Sequence, residues 1–370
     1  MRMVFLLVVA GWLGTGGVEA AGLRVLSAQP DEGWNRLFQR TNGWLGADAI
    51  YSVSLGAERR LWFFGDTFVG RVVDGRRTNV VMINNSVGVQ AGKEEAGAVE
   101  FFYRKQGDGR AGSWLEPVDG RGWLWPFGGV GEGGKAWVFL WQMEKTGGGG
   151  AFAFRNVAVW LARIENAAAA PGEWRVTQVR VPFTELGAER RRLFGSAVLR
   201  AGEWVYVYGI EEPVVWNSGG RRMLIARVPA GRVEDFGAWS FWGWEGWSGE
   251  FAKVRGVGGG MGTEYSVSYV ASVGAYVAVT TSNGLSDVIV ADSAPEPWGP
   301  WTGKWGVYKC PEGGLTRQTF CYAGKAHGWA GADGELLVSY AFNSHDFWEV
   351  VRDARLYWPR FVRVKVGEMR

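Results

Sequence analysis

The sequence contains few residues of the kinds that metal and thiol sites need. Its 370 residues include only 2 Cys and 2 His, and 40 Lys and Arg nearly balance 37 Asp and Glu. Two His and two Cys leave little material for a His/Cys zinc site. The net charge of +3 argues against a nucleic-acid-binding protein, because neutralising many phosphates requires a clear basic excess.

Long apolar runs and helical periodicity are nearly missing as well. One apolar stretch, residues 4–10, follows the basic residue Arg2, and the small residues Val18 and Ala20 fit the −3 and −1 positions of a cleavage site. This pattern predicts a secretory signal peptide over residues 1–20, with an N-terminal membrane anchor as the alternative. No later stretch reaches membrane-spanning length, so we expect an exported, periplasmic or extracellular protein that is a monomer.

The predicted export bears on the oxidation state of the two cysteines. Cys310 and Cys321 flank a short loop, KCPEGGLTRQTFC, and an oxidising compartment favours a disulfide between them. Two buried free thiols are the alternative. Neither cysteine lies in the local signature of a thiol enzyme, so we expect no catalytic cysteine.

Glycine and aromatic residues are abundant instead. The chain has 58 Gly and 23 Trp, and its apolar fraction of 47% excludes a disordered chain. Short aromatic and β-branched runs, each followed by a turn and a second run, begin near residues 61, 136, 204, 276 and 336. Such runs are typical of strands. Five units of similar length predict an all-β, five-bladed β-propeller over residues 21–370, one domain with a central funnel; a large β-sandwich is the alternative.

Several common catalytic motifs are missing. The glycine clusters at residues 147–150 and 258–260 lack the Lys-Ser/Thr of a phosphate-binding loop. No Gly-x-Ser-x-Gly elbow is present, and with only His327 and His345 a Ser–His triad is a poor hypothesis. The arginine run at residues 190–192 is expected to be a solvated loop.

Carboxylates within aromatic, glycine-rich motifs are the best candidates for chemistry. Asp48 lies in GWLGADAIYS, Asp66 in LWFFGDTFVG and Glu264 in GMGTEYSVSYV, each at the edge of an apolar run. An ionised carboxylate beside apolar residues costs free energy unless it is paired or functional. Each could also be a turn residue or an ion-pair partner. Glycoside hydrolysis needs little more than such a set, because one carboxylic acid and one carboxylate can cleave a glycosidic bond without a cofactor.

A polysaccharide or oligosaccharide substrate would also need aromatic and polar subsites. Aromatic faces suit the C–H faces of sugars, and Asn, Arg, Glu and His suit their hydroxyls. For each Trp, core packing between blades is the alternative. A structural calcium ion with Asp or backbone oxygen ligands is also compatible with the sequence. The candidate substrate-binding residues are Trp44, Arg77, Asn84, Asn85, Glu211, Tyr265, Trp298, His327 and Trp329.

Seven motifs together resemble a known family. They are GWLGADAIYS, RLWFFGDTFVG, NNSV, GTEYSVSYVASVGAYVAVTT, AGKAHGW, LLVSYAFNS and LYWPRFVRV. It comprises exported five-bladed propellers of the domain-of-unknown-function 4185 type, related to bacterial endo-D-arabinanases and to arabinanase- and xylosidase-like glycoside hydrolases. The resemblance covers nearly all of the chain after residue 20. It implies Asp48 and Asp66 as the catalytic pair and Glu264 as a third acidic group. The family motif usually continues Asp-Gly, whereas Ala49 follows Asp48 here.

The resemblance therefore implies an exported, inverting glycoside hydrolase that cleaves a furanose-containing polysaccharide such as arabinan or D-arabinan. In this reading Asp48 is the general base and Asp66 the general acid, while Glu264 tunes the pair or is itself the acid. Inversion predicts carboxyl groups about 6.5–9.5 Å apart. The main alternative is a non-catalytic propeller that binds glycans through a Trp-rich funnel. A phosphorylase or lyase would need a basic cluster beside the acids, which the sequence does not reveal.

Overall fold

Nearly all regular structure in the part of the chain that the structure describes is β-strand. A computed structural model describes residues 23–92, 97–148, 153–213, 220–331 and 334–368, so the predicted signal peptide lies outside the described residues. Among these residues, no helix is long and apolar enough to cross a membrane. The two α-helices within the described ranges are short, α1 (Glu32–Phe38) and α2 (Phe347–Arg352). Single 3-10 turns occupy Pro171–Glu173, Phe236–Ala238, Phe251–Lys253, Ala271–Val273 and Pro311–Gly314.

The strands of the first half of the chain are β1 (Leu23–Pro30), β2 (Asn42–Ala47), β3 (Tyr51–Ser54), β4 (Arg59–Phe64), β5 (Thr67–Val73), β6 (Arg76–Ile83), β7 (Ser86–Ala91), β8 (Val99–Phe102), β9 (Arg104–Lys105), β10 (Ala111–Gly112), β11 (Trp123–Glu132), β12 (Lys135–Lys145), β13 (Phe154–Ile164) and β14 (Val176–Arg180).

Those of the second half are β15 (Glu185–Leu186), β16 (Arg190–Ala201), β17 (Trp204–Pro213), β18 (Arg222–Pro229), β19 (Ser240–Gly243), β20 (Gly246–Ser248), β21 (Tyr265–Val270), β22 (Ala275–Thr281), β23 (Val288–Ala294), β24 (Trp305–Lys309), β25 (Thr319–Ala326), β26 (Glu335–Ser344) and β27 (Arg360–Glu368).

Most of these strands form antiparallel sheets that follow one another along the chain. The sheets are β3-β4-β7-β8, β11-β12-β13-β14, β15-β16-β17-β18-β19-β20, β21-β22-β23-β24 and β25-β26-β27-β1. The strands β3, β11, β16, β21 and β25 contact one another in series and surround a central channel. Consecutive sheets arranged around a channel are the architecture of a β-propeller, which confirms the predicted all-β propeller class.

The most apolar runs of the sequence are strands that pair with the innermost strand of each sheet, not the innermost strands themselves. The runs that begin near residues 61, 136, 204, 276 and 336 are β4, β12, β17, β22 and β26. Neighbouring sheets cover both faces of these strands, so that nearly every residue of β12 from Ala136 to Met143 is buried. In the first unit each of the two runs divides into two strands: β4 pairs with β7, while β5 pairs with β6 in a separate sheet that includes β2.

Glycines allow the innermost strands to approach closely. A Cβ atom at Gly131 of β11 would lie 2.3 Å from the carbonyl oxygen of Ser54 in β3. Across the channel, the hydroxyl of Tyr51 donates a hydrogen bond of 2.9 Å to the carbonyl oxygen of Ser196 in β16. Since a side chain at Gly131 would force these strands apart, glycine is required for this close packing.

The two ends of the described chain meet in one sheet. Strand β1 pairs antiparallel with β27, and this pairing places Leu23 opposite Glu368. Asp31, which caps α1 by accepting a hydrogen bond from the Trp34 amide, also forms an ion pair of 2.9 Å with Arg363 of β27. Pairing of the first and last strands closes the ring of sheets.

The predicted disulfide is not present in the structure. Cys310 and Cys321 are free, buried thiols. They belong to an apolar cluster between the last two sheets, and their side chains are in hydrogen-bond contact. That contact, together with burial, raises the pKa of the Cys310 thiol. The raised pKa disfavours the thiolate of Cys310, which is the form in which a cysteine reacts.

Candidate active site

Asp48, Asp66 and Glu264 lie at one end of the propeller. Asp48 stands between β2 and the inner strand β3, Asp66 follows β4, and Glu264 immediately precedes the inner strand β21. Because β3 and β4 are antiparallel, the start of β3 and the end of β4 meet at the same edge. All three side chains keep part of their surface exposed. The structure therefore brings together the three carboxylates that the sequence suggested.

Two tyrosines hold the carboxylate of Asp48. The hydroxyls of Tyr322 and Tyr357 donate hydrogen bonds of 2.8 and 2.9 Å to its Oδ2 atom. Burial raises the pKa of Asp48, while these hydrogen bonds and the nearby Lys325 ammonium lower it. Burial has the larger effect, so the pKa of Asp48 lies above its ordinary value, although the two hydrogen bonds and Lys325 favour the ionised form.

Asp66 has a different environment. The indole N–H of Trp125 and the amide of Asn84 both donate to its Oδ1 atom, at 2.9 and 3.3 Å. Burial and then the negative charge of Asp48 raise the pKa of Asp66 to about 7. Both donors contact Oδ1 of Asp66. Oδ2 accepts no hydrogen bond from the described residues, so it can carry a proton. Asp48 and Asp66 thus form a carboxylate pair whose members differ in their readiness to hold a proton.

Glu264 is joined to this pair by Lys325. The Lys325 ammonium lies 3.7 Å from Glu264 Oε1 and 4.5 Å from the ring centre of Tyr51, and it donates to the carbonyl oxygens of Ala49 and Ala323. Burial raises the pKa of Glu264 to about 7 and lowers that of Lys325 to about 8. Lys325 thus supplies a positive charge in the centre of the acidic cluster.

The backbone around Asp48 is held in an unusual conformation. Ala49 and Ile50 have φ angles of 64° and 55°, in the left-handed region that non-glycine residues rarely adopt. A Cβ atom at Gly65 would lie 2.3 Å from Asp48 Oδ1. The turn is therefore built so that the Asp48 carboxylate packs directly against a glycine.

A cavity adjoins Asp66. It has a volume of about 450 Å³, and Asn84, which donates to Asp66, lines it together with Ser113 and Trp123. The indole N–H of Trp123 is buried and lacks a hydrogen-bond partner among the described residues. An aromatic ring and free polar groups next to an acid are features that a sugar-binding subsite requires.

Among the described residues, no three His, Cys, Asp or Glu side chains are grouped so that they could hold a metal ion. The structural calcium ion that the sequence allows stays a prediction.

Comparison with known proteins identifies the family. The sequence model of DUF5005, a domain of unknown function, matches residues 31–366. The chain belongs to the DUF5005 family. The resemblance to the domain-of-unknown-function 4185 type and to endo-D-arabinanases stays a prediction. No curated protein matches the sequence of this DUF5005 chain.

Several solved structures are similar to the DUF5005 chain, and one with a TM-score of 0.71 shares its fold. A candidate hydrolase from Bacteroides ovatus has a TM-score of 0.71 at 18% identity, over 91% of the DUF5005 chain and 90% of its own. A family 43 β-xylosidase/α-arabinofuranosidase from a compost microbial metagenome has a TM-score of 0.48 at 13% identity, over 94% and 96%. A family 43 enzyme from Xanthomonas citri, complexed with xylotriose, has a TM-score of 0.48 at 14% identity, over 92% of each chain.

Three of the predicted subsite residues are structural in the DUF5005 chain. Trp44 is buried, stacks on Phe101 with ring centres 4.1 Å apart and donates to Ser86. Asn85 is fully buried and bonds only to backbone groups of residues 115 and 124. The buried hydroxyl of Tyr265 donates to the carbonyl oxygen of Gly209 at 2.6 Å. All three fill the space between sheets, because the most apolar positions of a propeller pack between its sheets.

Arg77 is structural as well. Its guanidinium is buried and donates to the carbonyl oxygens of Val350, Asp353 and Leu356 at 2.6, 3.0 and 2.5 Å. It therefore fastens β6 to α2 and to the loop that follows this helix. This loop carries Tyr357, so Arg77 supports the site without being able to contact a substrate.

His327 and Trp329 lie along the central channel. His327 bonds to Ser52 at 2.7 Å and to Ser339 at 2.9 Å, and burial lowers its pKa to about 3. Trp329 donates to the same Ser52 hydroxyl at 2.7 Å. Both line a cavity of about 400 Å³ that extends to the far ends of the inner strands. Lys325, which lies 3.7 Å from Glu264, lines the same cavity, so His327, Trp329 and the carboxylate cluster border one channel.

Glu211 and Trp298 lie beside other cavities. Glu211 forms an ion pair of 2.7 Å with Arg192, and Trp298 packs against Trp242 and Trp247. Of the nine predicted subsite residues, only Asn84 contacts one of the three carboxylates through a described hydrogen bond.

Sequence reasoning missed Trp125, Tyr322, Lys325 and Tyr357 as site residues. A partial signal was present, because Lys325 interrupts the apolar motif AGKAHGW and Tyr357 lies in LYWPRF. Nothing in these motifs indicates that their side chains contact Asp48 or Glu264.

Proposed function

We propose that this DUF5005 protein is a glycoside hydrolase that cleaves a polysaccharide with the carboxylate pair Asp48 and Asp66. The observation that carries the proposal is the contrast between the two groups. Asp48 is held by two tyrosine hydroxyls near a lysine, whereas Asp66 has a pKa of about 7 and one oxygen that accepts no described hydrogen bond. Pairs of carboxylates in neighbouring but different environments, one of which can hold a proton near pH 7, are what acid–base hydrolysis of a glycosidic bond requires.

In the proposed reaction, Asp66 is the general acid and Asp48 the general base. Protonated Asp66 donates its proton to the glycosidic oxygen as the bond from that oxygen to the anomeric carbon breaks. Ionised Asp48 removes a proton from a water molecule, whose oxygen forms the new bond to the anomeric carbon from the opposite face. The product sugar is inverted, and proton exchange with solvent restores both carboxyl groups.

Glu264 and Lys325 have a supporting role in this scheme. The Lys325 ammonium favours the ionised forms of Asp48 and Glu264, and the charge of Glu264 in turn keeps Lys325 protonated despite burial. Glu264 is the alternative general acid, because its pKa is also near 7. Trp125 and Asn84 are placed to fix the orientation of Asp66.

The sequence resemblance favours a furanose-containing substrate, arabinan or D-arabinan, and the predicted signal peptide favours action outside the cytoplasm. The cavity beside Asn84 supports a saccharide longer than the unit being cleaved, since it extends the site from Asp66 to Trp123. The aromatic side chains of Trp125, beside Asp66, and of Trp123, in the cavity, suit the apolar faces of sugar rings.

The test is hydrolysis of plant arabinan, mycobacterial arabinogalactan and xylan by purified wild-type, Asp48→Asn and Asp66→Asn proteins. We expect each variant to lose about 100-fold or more of the release of oligosaccharides. Asp235→Asn is the matched control, because Asp235 is an exposed carboxylate in the β18–β19 loop. The anomeric configuration of the first product, read by NMR, tests inversion.

Chemical rescue separates the two roles. Asp66→Asn should keep most activity on aryl furanosides, whose leaving groups need no proton, whereas an Asp48→Gly variant should regain activity with azide. If Glu264→Gln, and not Asp66→Asn, shows the aryl-substrate pattern, Glu264 is the acid. Near-normal activity of both Asp variants, or glycan binding without any product, would contradict the proposal and favour a binding protein.

A further inference from the structure

A further cavity, with a different chemistry, lies at the sheet formed by β15 to β20. It has a volume of about 610 Å³ and lies where β16 begins, β17 ends and β18 begins. Its lining combines basic side chains with two tryptophans and two glutamates. We call it the basic cavity; its side chains include Arg190, Arg192, Glu211, Arg222, Trp244, Glu245, Trp247, Lys253 and Arg255.

Two of these cations have no acidic partner. Arg192 pairs with Glu211 at 2.7 Å, Arg190 with Glu185 at 3.1 Å, and Lys253 with Glu250 at 2.9 Å. For Arg222 and Arg255, in contrast, no carboxylate of the described residues lies within ion-pair distance, and Arg255 Nε is buried without a hydrogen-bond partner among them. An unpaired guanidinium favours an anion that enters the cavity.

An exposed aromatic ring accompanies the unpaired cations. Trp244 is 84% exposed, and the guanidinium carbon of Arg255 lies 3.9 Å from the centre of its ring. This contact orders the indole on one face and leaves the other face open to solvent. A sugar ring can stack on this open face while its charged substituent reaches Arg255.

Arg255 also borders a neighbouring aromatic cavity. That cavity has a volume of about 290 Å³ and is lined by Trp242, Trp298 and Trp301. The indole N–H of Trp301 is buried and lacks a hydrogen-bond partner among the described residues. Two adjoining cavities with one shared arginine offer room for consecutive units of a chain.

The basic cavity lies at the end of the propeller that carries the carboxylates. The segment from Gly256, which lines the basic cavity, leads within eight residues to Glu264. Val257 pairs with Met223 of β18, and Arg221 beside it donates to the carbonyl oxygen of Met261. The predicted solvated loop at residues 190–192 is instead the start of β16, and Arg192 is buried.

We propose that the basic cavity binds a uronic acid unit of an acidic glycan. The sugar ring stacks on Trp244, and the planar carboxylate accepts hydrogen bonds from Arg222 and Arg255. Glu211 and Glu245 in the same lining disfavour groups of higher charge, such as phosphate esters. The binding site stands on its own residues, whereas the statement that this glycan is a substrate rests on the proposed function.

The test measures binding apart from cleavage. Calorimetry with the Asp66→Asn protein compares oligosaccharides that contain uronic acid with the same oligosaccharides after chemical reduction of their carboxyl groups. We expect the acidic form to bind at least about tenfold more tightly, and the advantage to shrink as salt increases. Arg222→Gln, Arg255→Gln and Trp244→Ala should each weaken binding of the acidic form by about tenfold.

Arg232→Gln is the matched control, because Arg232 is an exposed arginine after β18, at the other end of the same sheet. Circular dichroism verifies that every variant is folded. Equal binding of acidic and reduced oligosaccharides, or unchanged binding in the three variants, would overturn the proposal, as would binding of a sulfated oligosaccharide in preference to the uronate. Uronate binding without cleavage by the wild type would refute only the proposed function.

Discussion

The hydroxyl of Tyr357 lies 2.9 Å from Oδ2 of Asp48, although 309 positions separate the two residues in the sequence. The same hydroxyl lies 3.1 Å from the carbonyl oxygen of Asp66. Tyr357 therefore joins the backbone of one catalytic candidate to the side chain of the other. Its own φ angle of 61° is in the left-handed region, so this placement is maintained at a conformational cost.

Removal of the Tyr357 hydroxyl should make Asp48 a less effective general base at low pH. In Tyr357→Phe, Asp48 loses a donor that favours its ionised form, so its pKa rises. We expect kcat/KM at pH 5 to fall by about tenfold and the loss to be smaller at pH 7. Tyr269→Phe, an exposed tyrosine at the far end of β21, is the control. An equal loss at both pH values would mean that Tyr357 only supports packing.

The positive charge of Lys325 should also affect the acidic limb of the pH profile of kcat/KM. Lys325→Met removes the ammonium that lowers the pKa of Asp48 and of Glu264, and it leaves an apolar side chain in a buried position. We expect the acidic limb of kcat/KM to move to higher pH, with KM nearly unchanged. pH–rate profiles of the wild type and the variant give the measurement. A uniform loss at every pH would contradict a role through charge.

Gly65 should be required for the position of Asp48. In Gly65→Ala, the new methyl group would lie 2.3 Å from Asp48 Oδ1, so the carboxylate must move. We expect kcat to fall by about 100-fold, because catalysis is sensitive to shifts of about 1 Å. Gly107→Ala is the matched control, since a Cβ atom there meets nothing within 4 Å. Activity within a factor of about two of wild type would refute the Asp48 assignment.

Asp66 should make folding stability depend on pH. Its pKa is about 7 in the folded protein against an ordinary value of 3.8, so the folded state binds the proton more tightly. The stability that this group contributes is fully present below pH 3.8 and is lost as the pH rises through about 7.

Asp66→Asn removes this titration. From pH 5 to pH 8, the free energy of unfolding of the variant should therefore improve relative to the wild type by about 1–3 kcal/mol. Urea unfolding at several pH values gives the measurement. A difference that stays constant over this range would place the pKa of Asp66 at its ordinary value and remove the basis for its role as acid.

Arg77 should affect stability alone. Arg77→Ala leaves three buried carbonyl oxygens around α2 without their donor, which should lower the free energy of unfolding by about 2–4 kcal/mol. At a temperature where the variant is fully folded, glycan binding in the Asp66→Asn background should match that of Asp66→Asn alone. Lost binding by folded protein would restore Arg77 as a subsite residue.

Parts of this picture could be predicted because they depend on local patterns. A strand covered on both faces gives a continuous apolar run, so β12, β17, β22 and β26 and their period were visible in the sequence. The carboxylates were visible because each interrupts or borders such a run. The sugar-binding subsites could not be predicted, because the sequence does not distinguish the buried Trp44 from the exposed Trp244.

The sequence by itself determined an all-β chain of repeated units with acids at the edges of apolar runs. Only the tertiary structure decided which residues act on those acids. Closure of the ring brings Tyr322 and Lys325 of the last sheet, and Tyr357 of the loop before β27, against the turn at Asp48 and Ala49, across more than 270 positions. Burial then shifts the proton affinity of each group, because the free energy of a charge depends on its surroundings in space.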